Sequence, residues 1–175
     1  MKNVITAIFD ERLETEKFLT ELDQAGLKKE NVFVLITEKT RDKDYMLVEK
    51  DEEAKAKAKD EDDSVEVGAT IGGLTGAIYM SLASAGVLLV PGLNLIVSGT
   101  LVGTLAGLGL GSVAGGFIGW LVKLGVSEDE AKLYEAAIRK GSILVAIDTK
   151  DEAETKKVQE ILKKSSAQQV QALAA

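Results

Sequence analysis

The sequence predicts an α+β fold: a ferredoxin-like, split βαβ sheet domain that carries a long inserted glycine-zipper helical hairpin. Three observations lead to this prediction. Similar βαβ patterns lie at the two ends of the chain, a zone without any charged residue spans 67–122, and glycine recurs in that zone at a strict spacing of four. The 175 residues therefore divide into the first half of the sheet domain (1–37), an acidic linker (38–66), the apolar hairpin (67–123), and a connecting helix with the second half of the sheet domain (124–175).

The first βαβ pattern lies in the N-terminal part of the chain. The run VITAIF predicts a strand over 4–9, and VFVLI predicts a second strand over 32–36. Between them, an amphipathic stretch predicts a helix over 13–25 that ends at Gly26.

The second pattern repeats this order near the C-terminal end. A strand is predicted over 143–147, a helix over 152–164, and a weaker strand over 169–173. Two such units combine as a split βαβ arrangement, with their helices on one face of a four-stranded antiparallel sheet.

A connecting helix is predicted over 127–141. Ser127 is a good N-cap, Glu130 completes a capping box, and Gly141 closes the helix. Tyr134 and Arg139 could contact a ligand or a lipid headgroup from this helix; packing and an ion pair are their alternative roles.

The linker over 38–66 is dense in charged residues, with acids in excess, which is typical of a solvated spacer. Its middle, rich in Ala, Lys and Glu, could form a helix, but an all-polar helix without neighbours is marginal.

The charge-free zone is divided by Pro91 and Gly92 into two predicted helical arms, 67–90 and 93–122. At about 1.5 Å per residue each arm would be at least roughly 35 Å long, against about 30 Å for the hydrocarbon core of a bilayer. Because both halves of the sheet domain must lie on the same side of any membrane, the two arms would cross it as a hairpin.

Glycine in every turn of a helix needs a compensating contact, because each costs about 1 kcal/mol relative to alanine. A groove without side chains provides that contact by letting a facing helix approach closely. We therefore expect the glycines to pack the arms against each other and against other copies of the chain, giving a homo-oligomer. The predicted helix-packing positions are Gly68, Gly72, Gly76, Gly99, Gly103, Gly107, Gly111, Gly115 and Gly119.

The predicted location of the protein in the cell depends on how the hairpin is interpreted. Trp120 and Lys123 resemble an aromatic and basic anchor at a membrane interface, which favours a lipid bilayer as partner and a cell-membrane protein with its sheet domain in the cytoplasm. Alternatively, Trp120 packs where the hairpin meets the sheet domain, and the hairpin is buried between subunits of a cytoplasmic assembly.

The composition argues against several function classes. The chain has no His and no Cys, which removes the usual zinc and iron ligands and the thiol nucleophile, so we expect no metal, no cofactor and no enzymatic activity. A net charge of -7 is the wrong sign for a nucleic-acid partner. The N-terminal segment lacks the features of a signal peptide, which predicts a cytoplasmic start.

Two further motifs have simple explanations. Residues 109–114 fit the dinucleotide pattern G-x-G-x-x-A, but they follow no strand and belong to the glycine repeat. Asp10, Glu11, Asp148 and Asp151 follow the first and third predicted strands, where acids favour the positive end of the next helix dipole.

The chain resembles the bacterial general stress and low-temperature-induced protein family. The glycine repeat carries the likeness together with Gly125, Glu128, Glu130, Ala131, Tyr134, Glu135, Arg139, Gly141 and Val145. The resemblance implies a stress-associated, membrane-associated bacterial protein without established chemistry, and it supplies no catalytic residues. The Lys-rich acidic linker and the Gln/Ala-rich tail depart from the family, and the tail leaves open whether a fourth strand forms.

Three hypotheses about function remain. The first is a non-enzymatic, membrane-anchored stress protein that self-associates through its glycine zipper. The second is a soluble homo-oligomer with the hairpin buried between subunits. The third is a regulatory module that binds a small ligand of unknown identity on the sheet domain.

Overall fold

The computed structural model describes residues 3–28, 31–44, 87–90, 93–98, 116–123 and 126–174, which form a mixed α+β fold. The elements in chain order are β1 Asn3–Phe9, α1 Arg12–Gln24, β2 Val32–Thr37, α2 Glu38–Asp44, β3 Val87–Val90, β4 Leu93–Ser98, α3 Gly116–Lys123, α4 Glu128–Lys140, β5 Ile143–Thr149, α5 Glu152–Lys164 and β6 Gln168–Ala174.

The described strands form one antiparallel sheet in the order β3-β4-β2-β5-β1-β6. β5 lies between β1 and β2, with Ile147 opposite Ile5 on one side and Val145 opposite Val34 on the other. β1 and β2 therefore run parallel to each other. β6, whose formation the sequence leaves open, pairs with β1 at one edge of the sheet.

The first face of the sheet is covered by α1 and α5. Alternate strand residues point to this face because the side-chain period of a strand is two. The buried cluster consists of Ile5, Ala7, Phe9, Phe18, Leu19, Leu22, Leu27, Val32, Val34, Ile36, Ile96, Ile143, Val145, Ile147, Val158 and Leu162.

The second face of the same sheet is covered by α3 and α4. Its buried cluster consists of Ile8, Leu35, Leu93, Leu95, Val97, Phe117, Leu121, Val126, Ala131, Tyr134, Ile138 and Leu144. The fold therefore has three layers, with helices on both sides of the sheet. The connecting helix adds the second layer of helices and does not share a face with α1 and α5.

Strands that are buried on both faces need continuous apolar runs instead of alternating ones. This explains VFVLI in β2 and ILVAI in β5, in which each of these residues is buried. The predicted strands and helices at both ends of the chain match the observed ones to within two residues, and 152–164 is the helix α5.

The predicted helical hairpin is wrong over 87–90 and 93–98. These residues form β3 and β4, which pair antiparallel with Val90 opposite Leu93, and β4 also pairs with β2. The reason is that Val, Leu and Ile fill a pleated strand covered on both faces: Ile96 points to the first face, while Leu95 and Val97 point to the second.

Most of the remaining parts of the two predicted arms lie outside the described residues, and Gly116–Lys123 forms the helix α3. Within the described ranges, no helix combines the length and the apolar character that a membrane crossing requires.

The predicted solvated linker is wrong at its beginning. Glu38–Asp44 form α2, which lies beside β2 and β4, and Thr40 on this helix is buried. The helix forms because Thr37 caps it: the Thr37 hydroxyl oxygen accepts a hydrogen bond from the backbone N–H of Thr40 at 3.2 Å. The predicted helix in the middle of the linker lies outside the described residues.

Candidate functional site

A cleft opens at the end of the sheet where β1 and β2 finish and β5 begins. Because β5 runs antiparallel to its two neighbours, these three strand ends lie together, and they bring α2 next to the turn between α4 and β5. The cleft has a volume of about 610 Å³, which is in the range of small-molecule sites. We call it the basic cleft; it is lined by Asp10, Thr37, Lys39, Thr40, Lys43, Arg139, Lys140, Gly141 and Ser142.

A chain of hydroxyl groups ties α2 to the turn before β5. Thr40 Oγ1 donates to the carbonyl oxygen of Gly141 at 3.3 Å and lies 2.9 Å from Thr37 Oγ1. Since each hydroxyl has one proton, Thr37 donates to Thr40, which donates to Gly141. The two walls of the basic cleft are therefore held together by side-chain hydrogen bonds.

The turn before β5 depends on Gly141, whose φ of +109° is in the left-handed region that favours glycine. This C-cap ends α4 and places Ser142 at the floor of the cleft. Ser142 Oγ donates to Asp10 Oδ1 at 2.8 Å, and the amide of Gln168 donates to Asp10 Oδ2. The carboxylate of Asp10 is therefore engaged in holding the end of β1 to β5 and β6.

The charge of the cleft is opposite to that of the chain. Four cationic side chains, those of Lys39, Lys43, Arg139 and Lys140, line it, against the single carboxylate of Asp10. Arg139 also donates through Nε to Glu135 Oε1 at 2.8 Å. Lys39 and Lys140 form no ion pair with any residue in the described part of the chain. Although the chain has a net charge of -7, the lining of this cleft contains more cationic than anionic side chains.

A second cleft of about 730 Å³ adjoins the basic cleft. We call it the polar cleft; it is lined by Thr37, Glu38, Lys39, Asp42, Leu93, Asn94 and Arg139. Asn94 Nδ2 donates to Glu38 Oε2 at 3.2 Å across it. Arg41 pairs with Asp42 at 3.0 Å, so the acids of this cleft are partly neutralised by a neighbouring cation.

The two candidate ligand contacts on α4 have different positions. Arg139 lines both clefts. Tyr134 lies in the second buried cluster with an exposed fraction of 2%, and its hydroxyl is 3.1 Å from Thr6 Oγ1. Burial raises the pKa of the Tyr134 phenol above its ordinary value. Tyr134 therefore has the packing role and does not reach either cleft.

Most of the predicted helix-packing glycines lie outside the described residues; Gly119 is the exception and lies half-buried in α3. Trp120 and Lys123 also belong to α3, but their side chains lie outside the described part of the molecule. Phe117 and Leu121 hold this helix against the sheet, and the exposed fraction of Val122 is 43%.

The acids that follow the strands have distinct local roles. Asp151 caps α5, because its carboxylate accepts the N–H of Glu154 at 2.8 Å. Glu11 occupies the N-cap of α1 without a side-chain cap hydrogen bond. In the described ranges, no acidic side chains group closely enough to hold a metal ion.

Of the four cations in the basic cleft, only Arg139 was predicted as a candidate ligand contact; Lys39, Lys43 and Lys140 were not. A local signal was present for α2, since Thr37 directly after an apolar strand is a favourable N-cap residue and Glu38 is an acid in the first turn. The charge density of the segment favoured a linker instead. The convergence of α2 with the α4–β5 turn is set by the sheet topology, which no local pattern reveals.

Comparison of the chain with protein-family models, with curated proteins and with solved structures gives no match. The resemblance to the general stress family therefore stays a prediction, and function has to be argued from the geometry of the two clefts.

Proposed function

We propose that this protein is a non-enzymatic regulatory module that binds a small anion in the basic cleft. The observation that carries the proposal is the convergence of Lys39, Lys43, Arg139 and Lys140 on one cleft of an acidic chain. Cations that share a concave site raise the local concentration of anions, because the low-dielectric walls focus their field.

The cleft also favours binding because its walls are already in place. The hydrogen bonds among Thr37, Thr40 and Gly141 fix α2 relative to the α4–β5 turn. A preorganised site loses less conformational entropy on binding. For an exposed site with ammonium donors, we expect a dissociation constant for inorganic phosphate on the order of 1 mM, about -4 kcal/mol.

Calorimetric titration with inorganic phosphate at constant ionic strength tests this function. The double variant Lys39→Gln and Lys140→Gln removes two of the four cations and should weaken binding by at least about tenfold. The matched control, Lys163→Gln with Lys164→Gln, removes two exposed cations from the last turn of α5 and should bind like the wild type. Equal affinity in the two double variants, or no binding by the wild type, would contradict the proposal.

Self-association through the glycine segments is a second candidate function, favoured by one observation. The register pairs Val87 with Ile96, and Ser98 ends the same strand, so the chain enters β3 and leaves β4 at the same end of this strand pair. We propose that the glycines spaced by four on the two sides of this strand pair pack against each other or against another copy of the chain.

Size-exclusion chromatography of Gly107→Leu tests self-association. The variant should form a smaller species than the wild type, whereas Ala106→Leu, which adds similar bulk off the four-residue spacing, should not. An unchanged oligomer size in Gly107→Leu would exclude packing through this stripe. Carbonate washing of membranes from cells expressing the full chain distinguishes a membrane-anchored oligomer from a soluble one. Retention in the pellet supports a bilayer anchor, and release supports a soluble assembly.

We infer a ferredoxin-like core from β1-α1-β2 and β5-α5-β6, because their strands lie in the order β2-β5-β1-β6 and their helices share one face. β3, β4, α3 and α4 would then be additions to that core. The stress-associated role rests on the family resemblance alone.

A further inference from the structure

We propose that the ligand is a sugar phosphate, bound with its phosphate in the basic cleft and its hydroxyl groups in the polar cleft. This inference rests on the proposed function of the basic cleft and names the class of molecule that the two clefts accept together.

The two clefts are adjacent and share three of their lining residues. Thr37, Lys39 and Arg139 line both of them, so a ligand bound at these residues extends into either side. Each cleft, at about 610 and 730 Å³, is large enough for part of a small molecule. A free inorganic anion would occupy the basic side alone.

The two sides offer different chemistry. The basic cleft adds Lys43 and Lys140 to the shared cations, and ammonium groups bind the charged oxygens of a phosphate. The polar cleft adds Glu38, Asp42 and Asn94. A ligand that matches both sides carries its negative charge at one end and hydrogen-bond donors without negative charge at the other.

Hydroxyl groups match the mixture of hydrogen-bond acceptors and donors on the polar side. The carboxylates of Glu38 and Asp42 accept hydrogen bonds, while the amide of Asn94 both donates and accepts, and a sugar hydroxyl also does both. Asn94 is exposed and already donates to Glu38 at 3.2 Å, so these two groups lie close enough to share neighbouring hydroxyls.

A nucleobase fits this side less well. The described residues that line the two clefts include no aromatic ring, and Leu93 is itself buried with an exposed fraction of 4%. A base would therefore lack the flat stacking partner that nucleotide sites commonly provide. The site favours the sugar and phosphate parts over a base.

Calorimetric competition among inorganic phosphate, ribose 5-phosphate, ribose and adenosine 5′-monophosphate tests the inference on the full chain. Ribose 5-phosphate should bind at least about tenfold more tightly than inorganic phosphate, and ribose alone should bind much more weakly than either. Asn94→Ala should reduce that tenfold ratio to below about threefold. Gln24→Ala, an exposed amide change at the end of α1, should leave the ratio unchanged.

The outcomes separate this inference from the proposed function. Equal affinities for ribose 5-phosphate and inorganic phosphate, with binding still sensitive to Lys39 and Lys140, would overturn the sugar phosphate and keep the anion site. Adenosine 5′-monophosphate binding at least about tenfold more tightly than ribose 5-phosphate would assign a base to the polar cleft and also overturn the inference. Absence of binding by all four compounds would overturn both proposals.

Discussion

The Tyr134 phenol joins α4 to the sheet across the second face. Its hydroxyl group lies 3.1 Å from Thr6 Oγ1, and both side chains are buried. Each group therefore satisfies the other where water has little access. A packing role for Tyr134 was one of the two roles predicted from sequence, but its partner in β1 depends on how α4 crosses the sheet.

Tyr134→Phe tests the contribution of this hydrogen bond to stability. The variant keeps the ring and leaves Thr6 Oγ1 without the phenol, so we expect the free energy of unfolding to fall by about 1 kcal/mol at pH 8. Urea denaturation of the wild type and the variant measures the difference. A variant as stable as the wild type would show that the buried Thr6 hydroxyl does not need the Tyr134 phenol.

The difference in stability between the wild type and Tyr134→Phe should also depend on pH in a definite direction. Burial raises the pKa of Tyr134 in the folded state, so the folded protein holds the phenolic proton more tightly than the unfolded chain does. The associated stability is complete below about pH 10, the ordinary tyrosine pKa, and is lost as the pH rises through the folded pKa. The stability advantage of the wild type over Tyr134→Phe should therefore shrink above about pH 10, because only the wild type has this phenol to deprotonate. An advantage that grows with pH would contradict this assignment.

The basic cleft is held together by contacts between residues that lie far apart in the sequence. Arg139 was identifiable from its helix, yet Thr40 and Gly141 are joined by a hydrogen bond across 101 positions of the chain. Long-range contacts of this kind depend on the order of the strands in the sheet. A single sequence can therefore indicate the individual residues but not that they are in contact.

At the scale of elements, the caps explain why the predicted helix boundaries were accurate. Ser127 accepts the N–H of Glu130, and the Glu130 carboxylate accepts the N–H of Ser127 at 3.2 Å, which completes the capping box. Gly141 ends the same helix in the left-handed conformation. Local chemistry of this kind can be predicted from sequence because its partners lie within a few residues.

Two N-cap substitutions test this explanation, because one should lower the stability of the protein and the other should raise it. Ser127→Ala removes a working cap and should lower the free energy of unfolding by about 1 kcal/mol. Glu11→Ser supplies α1 with a better cap at a position where Glu11 makes no side-chain cap hydrogen bond, and it should raise stability by up to about 1 kcal/mol. Thermal unfolding measures both variants. A stabilising Ser127→Ala, or a Glu11→Ser that destabilises, would contradict the account of the caps.

The β3–β4 pair was missed for a physical reason. The surrounding glycines and the absence of charge are typical of a pair of apolar helices. This pattern over the whole zone favoured helices, although the short apolar runs within it favour strands. The local pattern was nevertheless informative, since VLLV and LNLIV flank the two residues Pro91 and Gly92 as in a short strand pair. Strand length and β-branched residues distinguish such runs from helices.

For the whole molecule, the two covered faces of the sheet decide the architecture. β4 contributes to both clusters, through Ile96 on one face and Leu95 on the other. The segment expected to belong to a separate hairpin is thus part of the core of the sheet. The continuous apolar runs of β2 and β5 could have predicted two covered faces, because one-sided sheets alternate polar and apolar residues.

Truncation of one buried and one exposed leucine tests this architecture. Leu95 has an exposed fraction of 1%, and Leu95→Ala should destabilise the protein by roughly 2 to 5 kcal/mol. Leu133 on α4 has an exposed fraction of 52%, and Leu133→Ala should change stability by less than about 0.5 kcal/mol. Urea denaturation compares the two. Equal, small effects would mean that β4 is not part of the cooperative core.

The central claim about function is that one end of the sheet binds a small anion, and nuclear magnetic resonance tests it most directly. Inorganic phosphate is titrated into the ¹⁵N-labelled full chain at constant ionic strength. The account predicts saturable shifts of the backbone amides around Thr40, Gly141 and Ser142, with little change in the last turn of α5, where Lys163 and Lys164 lie. Small, non-saturating shifts spread over all lysine-bearing surfaces would contradict it.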